Sequence, residues 1–61
     1  MTGPVYRVYE DAAGEWRWRL VAANGRVVAD SGEGYTRASD AERAAQTAAY
    51  LASVATVEMV R

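Results

Sequence analysis

Two glycine turns, at Gly14 and at Asn24-Gly25, bracket the run Glu15-Trp16-Arg17-Trp18-Arg19-Leu20-Val21-Ala22, and no other feature restricts the fold so much. Apolar and charged residues alternate through that run with period 2, the pattern of a strand with one dry face and one wet face. Val5 to Glu10 and about Arg26 to Ser31 carry the same character on either side. A strand reversed at both ends is the centre of an antiparallel meander in the order 1-2-3.

The turns also set the register. Asp11-Ala12-Ala13-Gly14-Glu15 fits a three-residue hairpin loop, a type I turn at Ala12-Ala13 followed by a left-handed Gly14, a conformation that a residue with Cβ resists. Asp11 then falls opposite Glu15, Val8 opposite Trp18 and Tyr6 opposite Leu20. One face holds Tyr6, Val8, Trp16, Trp18 and Leu20, and the other holds Val5, Arg7, Tyr9, Arg17, Arg19 and Val21. Asn24-Gly25 reads as a two-residue type I′ connection. It predicts Val28 opposite Val21, Ala29 opposite Leu20, and Asp30 opposite Arg19 as a cross-strand ion pair, with Val27 and Ala29 joining the Trp face.

Beyond Ser31-Gly32-Glu33-Gly34-Tyr35 a helix is predicted from Thr36 as N-cap to about Ser53, with Ser39 and Glu42 forming an alternative capping box. Ala41, Ala45, Ala48 and Ala52 make a smooth stripe, flanked by Ala44 and Leu51, that complements the bulky Trp face. The tail turns to β-branched residues and predicts a fourth strand, Val54 to Val60, pairing with a strand edge either of a partner chain, which is favoured, or of its own. The fold class is therefore α+β: a two-layer β-β-β-α unit, an antiparallel three-stranded meander and one Ala-rich helix, with a fourth C-terminal strand.

Size decides the assembly. A chain of 61 residues buries only ~60% of its unfolded surface, and no Cys is present to staple it. A single meander under one Ala-faced helix leaves two strand edges open, without an internal Lys or Pro to block pairing. A homodimer is expected, with Tyr50, Leu51, Val54, Val57 and Met59 at its interface.

The sequence Gly14-Glu15-Trp16-Arg17-Trp18-Arg19-Leu20-Val21-Ala22-Ala23-Asn24-Gly25, then Ala29, Ser31-Gly32-Glu33-Gly34-Tyr35 and Ser39-Asp40-Ala41-Glu42, closely resembles the YegP-like family of small domains of unknown function. The resemblance runs from about Tyr6 to Val54 and makes residues 1–61 a single YegP-like domain. It implies a β-β-β-α unit that occurs twice in tandem or once in a short self-pairing chain. It implies no activity.

The residues narrow function mostly by exclusion. Without His, Cys or Lys there is no Cys/His zinc site, no Ser-His or Cys-His pair and no Schiff-base lysine. No catalytic, cofactor or metal residues are assigned. Net charge is −1, far from the basic footprint of a nucleic-acid binder, so nucleic acid is disfavoured as a partner. Met1-Thr2-Gly3-Pro4 does not read as a leader, and no segment approaches ~20 apolar residues. A cytoplasmic protein with no membrane partner is expected.

Three constellations remain. Alternating Trp and Arg resemble a base-stacking platform, but period 2 sends the two to opposite faces; only Arg7, Tyr9, Arg17 and Arg19 share one face, as the alternative anion- or single-strand-binding surface. Gly32-Glu33-Gly34 before a helix has the look of a phosphate loop, against which Glu33 brings negative charge and no P-loop Lys follows. Glu10, Asp11 and Glu15 gather at the first turn and read as solvated charges, too few oxygens for calcium.

Overall fold

A computed structural model describes residues 3–60; Met1, Thr2 and Arg61, and so part of the N-terminal stretch and of the single-domain reading, lie outside the described residues. Three strands, β1 (Val5–Glu10), β2 (Trp16–Val21) and β3 (Val27–Asp30), form one sheet in the order β1-β2-β3, and the helix α1 (Ala38–Val54) follows. β1 and β2 pair in the register that the first turn predicts, Tyr6 with Leu20, Val8 with Trp18 and Glu10 with Trp16. That turn is the expected type I loop. The Asp11 amide donates to the Glu15 carbonyl (2.8 Å), the Gly14 amide donates to the Asp11 carbonyl (3.0 Å), and Gly14 sits at φ +83°.

The second turn differs from the sequence expectation. A type I′ loop needs positive φ at both Asn24 and Gly25, yet among the described residues only glycines have it, Gly25 at +90°. The loop is instead a second copy of the first: the Gly25 amide donates to the Ala22 carbonyl and the Ala22 amide to the Arg26 carbonyl, both at 2.8 Å. The Asn24 side-chain oxygen accepts from the Arg26 amide (3.0 Å), a local bond that holds asparagine in an ordinary turn conformation. A three-residue loop consumes one more residue than a two-residue loop, and β3 absorbs it as a bulge. Arg19 pairs with Asp30 and Leu20 with Ala29 as expected, but Val21 meets Val27, not Val28.

The bulge changes what each face holds. Ala29 stays opposite Leu20 on the Trp face, whereas Val27, expected there, shares a register position with Val21 on the arginine face. Val21, flanked by its register partners Val5 and Val27, is the most buried strand residue at 9% exposure.

After β3 the chain stays beside β2. The Ser31 amide donates to the Trp18 carbonyl (2.9 Å), the glycine loop swings out, and Tyr35 rejoins opposite Trp16 through two backbone bonds of 2.7 and 2.8 Å. This bridge explains why the helix starts later than Thr36. Tyr35 is held extended, Arg37 is still extended (φ −124°, ψ 141°), and so Arg37 becomes the N-cap, without a side-chain cap. Thr36 lies too early to cap, and Ser39 lies inside the helix, so neither predicted cap forms; Asp40 in the first turn interacts favourably with the helix dipole instead.

α1 packs on β1 and β2 and leaves β3 uncovered. Its buried residues are Ala41 (0% exposed) and Ala45 (4%), with Ala44 and Ala48 half-buried. The predicted stripe does not continue: Leu51 and Ala52 are exposed, because a helix of 17 residues runs ~25 Å and finds cover only as far as Ala48, every residue from Ala49 to Val54 being exposed. Trp16 and Trp18 are half-buried under the helix, with the rings of Tyr6 and Trp18 5.4 Å apart and tilted at 59°. Ala55 leaves α1 extended (φ −76°, ψ 152°). The fourth strand expected for the tail is not formed within the chain: residues 55–60 pair with no described strand and are exposed throughout.

Candidate functional site

Two surfaces stand out, the arginine face of the sheet and the overhanging end of α1 with its tail. On the first, alternation gathers Arg7, Tyr9, Arg17 and Arg19 as predicted, but their bonds do not aim them at a ligand. Arg17 Nε donates to Asp11 Oδ2 at 2.7 Å, with Glu15 3.8 Å away. The other oxygen of Asp11 accepts from the amides of Ala13 and Glu15, both at 2.9 Å, so this carboxylate closes the turn and holds the arginine together. The hydrogen bond from Arg17 and then that from the Glu15 amide hold the Asp11 carboxyl below its usual range, and the same Asp11 contact raises Arg17 further. Arg19 lies over the Tyr9 ring, 4.1 Å from its centroid. It makes no ion pair with Asp30 among the described residues, which corrects the predicted cross-strand pair: the guanidinium gains more contact from an aromatic face beside it than from an exposed carboxylate.

The Asp11 arrangement carries a prediction. Because its folded-state pKa is lowered from 3.8, its contribution to stability is complete above about that pH and is lost as pH falls through the lower folded value. Urea midpoints measured from pH 6 down to pH 2 will fall below about pH 4, and Asp11→Asn will start from a lower midpoint and show a shallower acid slope. An equal slope in the variant would place the acid sensitivity elsewhere.

The glycine loop is a connection. Ser31 Oγ donates to the Glu33 carbonyl (2.8 Å) and accepts from the Trp18 amide (3.5 Å), while Gly34 passes so close to Glu15 that a Cβ there would lie 2.9 Å from the Glu15 Cβ. With the Glu15 carboxylate against it, the loop presents negative charge where a phosphate would need the reverse. Of the three turn carboxylates only Asp11 and Glu15 converge, on Arg17, and among the described residues no group of three acidic side chains is placed to share a metal ion.

The second surface is apolar. Tyr50, Leu51 and Val54 on α1 are exposed, and Val57 and Met59 in the tail are exposed at 95% and 81%. The sequence singled out these five. It missed what lies beside them, a groove of about 610 Å³ with Trp18 and Tyr35 as its floor, Ala44, Thr47, Ala48 and Leu51 as one wall, and Asp40 and Arg43 at its mouth. Leu51 joins the two features. The groove was not readable from the sequence because it depends on Tyr35 bridging back to Trp16, a long-range pairing that no local pattern announces.

An α+β chain of one three-stranded meander and one helix, with an arginine face and an unpartnered apolar end, is a recognisable class of small domain. This chain belongs to the family described as Domain of unknown function (DUF1508), which matches residues 11–58. It is 49% identical over 39 residues, 64% of this chain and 68% of the relative, to UPF0339 protein NMB1088 of Neisseria meningitidis serogroup B, and equally to UPF0339 protein NMA1193/NMA1859 of serogroup A. A solution structure of a protein from Haloferax volcanii superposes with a TM-score of 0.82 at 38% identity, covering 98% of this chain and all of that one. These relatives agree with the YegP-like resemblance and supply no biochemical role. No helix among the described residues is long and apolar enough to cross a membrane.

Proposed function

We propose that this protein is a small, non-catalytic structural or interaction module that associates with itself as a homodimer in the cytoplasm, one domain per chain, with Tyr50, Leu51, Val54, Val57 and Met59 at the interface. One observation carries the reading. A compact monomer of 6.6 kDa exposes about 3,900 Å², whereas this chain exposes 4936 Å². The surplus, about 1,000 Å², is close to the ~800 Å² that each partner buries in a standard interface. The radius of gyration tells the same story, 12.7 Å against about 10.5 Å for a compact domain of this length.

A binder of anions or single-stranded nucleic acid through Arg7, Tyr9, Arg17 and Arg19 has less behind it, since Arg17 is held by Asp11 and Arg19 lies on Tyr9. Size exclusion with light scattering across a dilution series tests the dimer, and a stable monomer at low micromolar concentration would end it. Fluorescence polarisation with labelled single-stranded RNA tests the alternative. Micromolar binding that weakens steeply with salt would favour that surface instead.

A further inference from the structure

We infer that each copy seats its C-terminal segment, residues 55–60, in the groove of the other, with Val57 and Met59 on the Trp18/Tyr35 floor. This rests on the self-association reading above and specifies its contact. The groove, about 610 Å³, is open to solvent along its length, as an extended segment laid into it would need, and Trp18, Tyr35, Ala44, Ala48 and Leu51 make its lining mainly aromatic and aliphatic. The tail matches it in chemistry. In an extended chain alternate residues point the same way, so Val57 and Met59 share one side while Thr56 and Glu58 share the other. With the first pair inward, Glu58 faces the mouth, where Arg43 has Asp40 as its ion-pair partner among the described residues, an exposed contact of 3.8 Å one helical turn away.

The tail does not fill its own groove: Val57 and Met59 stay 95% and 81% exposed. The wall lies at Ala44 to Leu51, behind the helix end, so Val57 would have to double back between Ser53 and Thr56. Reversals of that length favour Gly, Pro, Asn, Asp or Ser, and of these residues 48–60 contain only Ser53. Ser53 donates its hydroxyl to the Tyr50 carbonyl within the helix (2.6 Å), and Ala55 leaves α1 extended and without a turn (φ −76°, ψ 152°). An apolar tail left exposed while a matching groove stands open, in a chain with surface to spare, is complementary to a second copy, and reciprocal exchange closes the assembly by two-fold symmetry.

The absence of cysteine makes disulfide trapping clean. Ala44→Cys chains mixed with Val57→Cys chains, equilibrated and mildly oxidised, will give the mixed cross-link as the dominant product by mass spectrometry, well above a control mixture of Ala44→Cys with Ala12→Cys at the hairpin tip. Arg43→Glu and Glu58→Arg will each weaken the dimer about three- to fivefold, and the two together will restore it. A light-scattering dimer whose mixed cross-link does not exceed the control, or whose charge swap gives no rescue, overturns the seat and leaves self-association standing. An intramolecular cross-link in an Ala44→Cys/Val57→Cys chain also overturns it, and a monomer removes both readings.

Discussion

Replacing Ala41 by leucine will cost about 2 kcal/mol or more, read as a drop in the urea midpoint followed by far-ultraviolet circular dichroism at fixed protein concentration. Among the described residues Ala41 is the one position exposed at 0%, where the first turns of α1 press against β1 and β2. Close-packed interiors have no room for three extra carbon atoms, so either α1 lifts from the sheet or the rotamers beneath it strain. A chain this small has only about 3–5 kcal/mol to lose, which makes the effect a large share of the whole. Ala52→Leu provides the contrast: Ala52 belongs to the predicted stripe but is exposed, and the same change there will move the midpoint little. Equal losses at the two positions would mean that the helix is not anchored through its first half.

The other large effect is at Trp18. Among the described residues no large side chain is completely buried, so the ring that fills the space under α1 carries a disproportionate part of the core. Complete burial would make Trp→Ala cost 3–5 kcal/mol, and for a half-buried ring about 2–3 kcal/mol is expected. Part of that belongs to Tyr6, whose ring lies 5.4 Å away, and tilted aromatic pairs couple by about 1 kcal/mol. In a double-mutant cycle, Trp18→Ala with Tyr6→Ala will therefore cost less than the two single losses added. Strict additivity would show that the rings are neighbours without an energetic link.

Alternation and turn chemistry carried most of the fold. Once Gly14 closes a three-residue loop, every β1–β2 pair follows, and the sequence could be read through to Val5 opposite Val21. The readings that failed share a cause, in that each depends on a contact distant in the chain or on a choice between two local options of similar energy. Asn24 suits a type I′ turn or a type I turn followed by left-handed Gly25, and the choice moved Val27 across the sheet. Thr36 and Ser39 are good caps by composition, but the bridge between Trp16 and Tyr35 places the helix start by tertiary pairing instead. Arg19 and Asp30 face each other in register, but register names neighbours without choosing rotamers, and the Tyr9 ring at the diagonal position on β1 is also within reach of a long side chain. The exposed apolar residues of the candidate interface were legible as a surplus of hydrophobic side chains over places to put them. The groove beside them became visible only when the chain was folded.

Because the strands lie in the sheet in the order in which they occur in the chain, and both hairpins close over three residues, the meander assembles while only short loops have closed. The first contact that spans most of the sequence is α1 returning across β2 to β1. Folding kinetics should therefore divide into a fast, local sheet-forming step and a later docking of the helix, with neither depending on protein concentration. A ribosome releasing this chain would present a sheet with its Trp face bare until the last third of the sequence emerged, and during that interval the newborn protein is most exposed to association with the wrong partner.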